Sequence, residues 1–244
     1  MKTLQRIALL TLFTFFGCAP ETSRSVIELP IIAIGDARDQ FTAGELEITI
    51  IEAKLALGPL YFCASSLPSD HVCESARLEL LDPFVIDLLS DEPDEVGLAQ
   101  GSSGRIASAQ YNFGRSIFAG EVLPTAAGES VDGHSGRFVL AIEGPDDRSL
   151  LVRITLDLDP ARSGSLRVLG HRTEIDLDET ISALEIRASA FDLLSALDYS
   201  AIEEMVADPN RDVGEVELTP SHRLYEGLAS RLSSGIFPVF NWSE

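Results

Sequence analysis

Strict alternation of apolar and polar residues over short stretches limits the folds that are open to this chain. The clearest case is residues 151–158, where every second residue from Val152 to Leu158 is apolar and the residues between them are arginine, threonine and aspartate. A period of two places successive side chains on opposite faces of a strand, whereas an amphipathic helix has a period of about 3.6 residues. The stretch is therefore predicted to be a half-buried β-strand.

A second stretch changes its phase of alternation near the middle. In residues 46–50 the apolar side chains occupy the even positions, and in residues 51–57 they occupy the odd positions. A β-bulge near Ile50 and Ile51 would produce this switch, because one extra residue moves all the following side chains to the opposite face. The Gly-Pro pair at 58–59 is predicted to end the strand.

Further short, turn-bounded apolar segments indicate strands along most of the chain. Their regular spacing predicts a mainly β fold, either an antiparallel β-sandwich or an open barrel. The first segment contains Pro30, which cannot donate a hydrogen bond to a neighbouring strand, so we expect an edge strand there. The segments are 26–34, 77–81, 84–89, 105–113, 137–142, 166–168, 173–177, 184–188 and 236–242.

The last quarter of the chain predicts one or two short helices. Residues 200–203 have the pattern of a capping box, which predicts a helix to about residue 207. Thr219 and Pro220 are suited to the first positions of a longer helix, in which leucine recurs every four residues and after which Gly235 follows.

The N-terminus has the pattern of a bacterial export signal. Two cations in the first six residues precede an apolar run at 7–16, which is too short to span a bilayer because a spanning helix needs about 20 residues. Residues 15–18 end in Gly17 and Cys18 and resemble the lipobox of bacterial lipoproteins. The resemblance implies acylation of Cys18, an anchor in the outer membrane, and a domain that faces the periplasm or the cell surface.

These signals divide the chain into three parts. Residues 1–17 are predicted to be a lipoprotein signal peptide, residues 18–25 the lipidated cysteine with a short tether, and residues 26–244 a single β-rich domain. The membrane would then be a partner through the lipid anchor. The alternative is an ordinary secreted, soluble protein.

Two cysteines are left for other roles if Cys18 carries lipid. Cys63 and Cys73 would form a disulfide in an oxidising compartment, and its closure of a short loop would contribute roughly 2 to 3 kcal/mol. The alternative is a zinc or copper site formed by Cys63, His71 and Cys73, because thiolate and imidazole ligands suit these metals. That set lacks a fourth ligand nearby.

Charge and motif content narrow the classes of function. The chain has 39 acidic and 18 basic residues and a net charge of -21, with no basic run, so we predict no nucleic-acid partner. Each of its four histidines, at 71, 134, 171 and 222, lies on a different segment, and residues 133–136 lack the pattern of a nucleophile elbow. The sequence therefore predicts no catalytic residue and no cofactor.

The segments 44–63 and 84–89 resemble uncharacterised secreted lipoproteins of myxobacteria and related bacteria. The shared pattern is structural, a pair of strands leading to a cysteine, and the resemblance implies no established activity. Our leading hypothesis is a lipid-anchored, non-enzymatic binding or structural module of the cell envelope, with an envelope protein as a candidate partner. The alternatives are a metal-handling lipoprotein and, third, a hydrolase whose site is assembled from loops.

Overall fold

The computed structural model describes residues 24–66, 73, 76–118, 121–158, 168–208 and 214–244. Within these ranges the chain forms a mainly β fold with four α-helices, and a 3-10 turn at Pro145–Asp147. The strands are β1 Val26–Ile34, β2 Gln40–Ala43, β3 Leu46–Leu57, β4 Leu60–Cys63, β5 Ala76–Leu80, β6 Phe84–Asp87, β7 Asp94–Ser102, β8 Gly104–Tyr111, β9 Arg115–Phe118, β10 Glu121–Pro124, β11 Gly136–Glu143, β12 Ser149–Leu156, β13 Val168–Leu177, β14 Ala183–Arg187, β15 Glu215–Glu217 and β16 Val239–Ser243. The helices are α1 Ala126–Ser130, α2 Ala190–Leu194, α3 Ser200–Ala207 and α4 Arg223–Ser233.

Two large sheets surround one hydrophobic core. The first has eight strands in the order β13-β8-β4-β5-β7-β1-β14-β16, and the second has the order β15-β12-β11-β3-β2 with β6 also paired to β3. The described pairs are antiparallel except β1 with β14 and β12 with β15, which are parallel. One cluster of buried apolar residues includes side chains from both sheets, so the predicted mainly β sandwich or open barrel is confirmed.

The predicted bulge in β3 is present. Val139 of β11 pairs with Glu52, but the next residue of β11, Leu140, pairs with Ile50, so Ile51 is the extra residue. Ile50 is buried in the core and Ile51 is exposed. The bulge therefore switches the buried face of β3 between the half that pairs with β2 and the half that pairs with β6.

Side chains bring together the two edges of the eight-stranded sheet. Strands β13 and β16 are its end strands, yet the indole N–H of Trp242 donates to Oγ1 of Thr173 across a distance of 2.9 Å. The rings of His171 and Phe240 also lie 4.8 Å apart, centroid to centroid. The sheet is therefore curled into a barrel that side-chain contacts close along one seam.

Pro30 lies inside the sheet order, so the prediction of an edge strand was wrong for β1 as a whole. The strand runs between β7 and β14, but its pairing with β14 begins only at Ile31. Pro30 consequently has a paired strand on one side only. The missing N–H is tolerated because this position has the environment of an edge.

The helix predicted from residue 200 to about residue 207 is present as α3, but its cap and the start of α4 differ from the predicted ones. The N-cap of α4 is His222, whose Nδ1 accepts from the backbone N–H of Leu224 at 3.2 Å, so the start predicted at Thr219 was wrong. The N-cap of α3 is Tyr199 and makes no capping bond through its side chain. With α2, the described part of the last quarter of the chain holds three helices rather than one or two. No helix in the described residues is long and apolar enough to cross a membrane.

Candidate functional site

A groove of about 990 Å³ opens where the parallel strands β1 and β14 end. Helix α2, the last turn of α4 and the segment 236–239 form its other walls. We call this feature the β1/β14 groove. It is lined by three arginines, four carboxylates and a set of apolar side chains, namely Arg38, Arg187, Arg231, Asp36, Asp91, Glu185, Asp192, Ile34, Ile236, Phe237 and Val239.

Asp36 organises the end of β1. Its carboxylate accepts from the backbone N–H of Arg38 at 3.0 Å and from Nε of Arg38 at 2.7 Å. The hydroxyl of Ser189, which caps α2, donates to the same carboxylate at 3.1 Å. The hydrogen bonds from Arg38 hold the pKa of Asp36 below its ordinary value. This network ties the ends of β1 and β14 together.

Arg38 extends the network to α2. Its guanidinium lies 3.2 Å from Oδ1 of Asp192, and its Cζ lies 4.2 Å from the centroid of the Phe191 ring, as in a cation-π contact. On the floor of the groove, Arg187 forms an ion pair with Glu185, which lowers the pKa of that carboxyl group. Most charges of the groove are therefore paired within the protein.

Two charged groups of the groove are exceptions. Arg231 donates from Nη2 to the main-chain oxygen of Asp192 at 3.0 Å, but its Nε is buried without an acceptor and no described carboxylate pairs with it. Asp91 follows β6 and has no hydrogen-bond or ion-pair partner among the described residues. These are the groups whose donors and acceptors are left for a ligand.

Gly35 lines the groove, and its backbone packs closely against residues 87–90 at the end of β6. Its N–H donates to the oxygen of Ser90 at 2.7 Å, and a Cβ at this position would lie 2.5 Å from the oxygen of Asp87 and 2.6 Å from the carbonyl carbon of Leu88. Backbone atoms cannot move aside as a flexible side chain can. Only glycine fits here without a shift of one segment.

Gly35→Ala is therefore expected to lower the free energy of unfolding by about 1 to 3 kcal/mol, the usual effect of overpacking. Urea denaturation of the full chain measures this change. Gly214→Ala is the matched control, because nothing lies within 4 Å of a Cβ built at Gly214. Equal stability of the two variants would show that the floor is not packed in this way.

The predicted disulfide is present between Cys63 and Cys73, whose Cα atoms lie 5.9 Å apart. Neither sulfur of a disulfide is a thiolate, which is the form that binds zinc or copper. A site formed by Cys63, His71 and Cys73 would therefore require reduction of this bond. His71 and Cys18 lie outside the described residues, and within the described part no group of three or more His, Cys, Asp or Glu side chains could hold a metal ion.

His134 forms a pair that the sequence analysis missed. Its Nδ1 lies 2.9 Å from Oδ1 of Asp157, and Arg115 forms an ion pair with the same oxygen. The two residues meet because Gly136 of β11 pairs with Leu156 of β12. A correct prediction of the register of this hairpin would therefore have predicted the pair.

A base held by a carboxylate is part of a hydrolytic triad, but a nucleophile is also needed. Ser135, which belongs to the segment 133–136 that lacks the pattern of a nucleophile elbow, is buried, and its Oγ accepts from the N–H of Leu158 at 3.1 Å. Among the described residues, no serine, threonine or cysteine is hydrogen-bonded to His134. The pair therefore supplies a base and its orienting group without a nucleophile.

No protein-family model and no curated protein matches the chain. Among solved structures, it is similar to MbnP from Methylosinus trichosporium, with a TM-score of 0.36 and 10% sequence identity over 72% of this chain and 80% of that chain. A similarity this distant carries no argument about the site.

Proposed function

We propose that this protein is a lipid-anchored, non-enzymatic binding module of the bacterial cell envelope, and that its ligand lies in the β1/β14 groove. The observation that carries the proposal is the groove itself. Its volume of about 990 Å³ lies in the range of small-molecule sites, and it combines exposed apolar side chains with charged groups that internal ion pairs hold in place.

The groove is already organised for binding. The contacts of Asp36 with Arg38 and Ser189, and of Arg38 with Asp192, hold these side chains in place before any ligand arrives. Binding to a preorganised site loses less conformational entropy than binding to mobile side chains. The paired charges therefore support a receptor whose walls keep their shape.

The chemistry of the lining supports binding rather than catalysis. The lining residues include no histidine or cysteine. The hydroxyl of Ser189, the lining serine, accepts from the N–H of Asp192 and donates to Asp36. It is thus engaged twice, and the carboxylate that accepts its proton is a weak base because the hydrogen bonds from Arg38 hold the pKa of Asp36 below its ordinary value. The proposed site of the lipid anchor is Cys18. Residues 19–25 would connect it to the domain as a tether of at most roughly 25 Å, at about 3.5 Å per residue.

A thermal-shift screen of charged small metabolites with the full chain tests the groove. We expect at least one compound to raise the melting temperature, and Val239→Trp to abolish the shift because the indole would obstruct the groove beside Arg187, the residue with which Val239 pairs. A ligand at 100 times its Kd stabilises a protein by about 2.7 kcal/mol.

The mass of the same purified chain tests the anchor, since acyl groups should be present and should be lost in Cys18→Ser.

Val26→Trp is the matched control. Val26 is 81% exposed and Val239 50% exposed, and Val26 is not among the residues that line the groove. Its variant should keep the ligand-induced shift. The proposal is wrong if no compound stabilises the protein, or if the stabilising compounds act equally on Val239→Trp.

A further inference from the structure

We infer that the β1/β14 groove binds a zwitterion with an apolar body, such as a short peptide with free termini, with its carboxylate on Arg231 and its ammonium group on Asp91. This inference rests on the proposed function, because it names the class of ligand for the same groove. The charges of the groove that have no internal ion-pair partner determine this class of ligand.

The internal ion pairs cancel most of the charge in the groove. Arg38 is shared by Asp36 and Asp192, and Arg187 is paired with Glu185. The cation and the carboxylate that remain without an ion-pair partner among the described residues are Arg231 and Asp91. A ligand with only a negative charge would be attracted by the first and repelled by the second. A ligand with one charge of each sign can satisfy both.

Arg231 is suited to receive the carboxylate. A guanidinium group offers several N–H donors in a planar fork that matches the two oxygens of a carboxylate. In Arg231, Nη2 has an acceptor, the main-chain oxygen of Asp192, which also fixes the direction of the side chain. Nε is buried, and the remaining N–H groups of Nη1 and Nη2 have no acceptor among the described residues, so these are the donors offered to a ligand. The guanidinium group of Arg231 is therefore fixed in position and still has N–H donors for a ligand.

Asp91 lies on a different wall. It belongs to the segment between β6 and β7 that packs against Gly35, where the Gly35 N–H donates to the oxygen of Ser90, whereas Arg231 is in the last turn of α4. The two charges are therefore presented by separate elements. A ligand that contacts both must therefore bridge two elements and carry two charges of opposite sign, as a short peptide with free termini does and a single small ion does not.

The apolar body has its own surface. Ile236 is 64% exposed and Val239 is 50% exposed, although both are large aliphatic side chains, and both line the groove. The wall that carries them is held from inside the barrel, because the hydroxyl of Tyr111 donates to the oxygen of Phe237 at 2.6 Å. An apolar ligand body would remove these two side chains from water.

Isothermal titration calorimetry of the full chain with trileucine tests the inference. We expect the peptide with free termini to bind, and both N-acetyl-trileucine and trileucine amide to bind at least about tenfold more weakly, since each lacks one charge-assisted contact. Arg231→Gln should lose the preference for the free carboxylate over the amide. Asp91→Asn should lose the preference for the free amine over the acetylated one.

Arg153→Gln is the control, because Arg153 lies on β12 in an ion pair with Glu215 and does not line the groove. It should bind all three peptides as the natural chain does, and thermal unfolding should show that every variant is folded. Equal binding of free and blocked peptides, or preferences that survive in both variants, would overturn the inference. If trileucine does not bind but the screen finds a ligand that Val239→Trp excludes, the zwitterion assignment fails and the proposed function stands.

Discussion

Phe62→Ala is expected to lower the free energy of unfolding by about 3 to 5 kcal/mol, the range for large aromatic side chains removed from a core. Phe62 is completely buried. Its ring centroid lies 5.5 Å from that of Phe240 and 5.3 Å from that of Trp242, in edge-to-face contacts. Such contacts contribute beyond the area they bury.

The position of these rings explains the size of the effect. Phe62 is on β4, in the interior of the eight-stranded sheet, whereas Phe240 and Trp242 are on its edge strand β16. The contacts therefore cross the inside of the barrel and help to hold its seam closed. Removing the ring would leave a cavity and also loosen the seam, which backbone hydrogen bonds do not close in the described strands.

Urea denaturation of the full chain measures the loss, with Val26→Ala as the control because Val26 is largely exposed. The chain has a single tryptophan, and it is Trp242 at the seam, so its fluorescence in the folded state should also shift to longer wavelength in Phe62→Ala. A loss below about 1 kcal/mol, well under the usual range for a buried aromatic residue, would contradict the view that this cluster closes the barrel.

Features set by local pattern were predictable from the sequence. The alternation in β12 and the phase switch in β3 follow from side-chain direction alone, and the cysteine count indicated the disulfide. Strand β7 was missed because its nine residues include two glycines and four polar side chains. It forms because β1 and β5 pair with it on both sides. Gly101 allows the close approach of Arg77, where a Cβ would collide with the backbone.

No local sequence pattern predicted the β1/β14 groove. Arg38 and Asp192 meet although they are 154 positions apart, because β1 and β14 pair in parallel. No spacing rule links two such residues, and each of the two segments is unremarkable when taken alone. A site of this kind is visible only after the sheet order is known. The pair His134 and Asp157 is different, because both flank one hairpin.

His171 is the residue for which the fold predicts the largest response to pH. It is 7% exposed, and burial lowers its pKa from 6.5 to about 4. Its Nδ1 lies 3.0 Å from the hydroxyl of Tyr111, which itself donates to the oxygen of Phe237. The hydroxyl oxygen therefore accepts from Nδ1–H, and the ring is held neutral inside the barrel.

The unfolded chain, with an ordinary histidine pKa, takes up a proton between pH 6.5 and 4, where the folded chain does not. Stability must therefore fall as the pH falls through this window, and this group has no effect above it. Each unit of pKa difference corresponds to about 1.4 kcal/mol, so the loss is at most about 3 to 4 kcal/mol. The carboxyl groups of Asp36 and Glu185, with lowered pKa values, lose their contributions mainly below this window.

Urea denaturation between pH 7.5 and 4 should show this decline, and His171→Gln should flatten most of it because glutamine does not titrate. His222→Gln is the comparison, since burial also lowers the pKa of His222, but that ring is only partly buried at the start of α4. It should remove a smaller part of the slope. If His171→Gln keeps the natural pH dependence, folding does not lower the pKa of His171, and the view that the barrel holds this ring neutral is wrong.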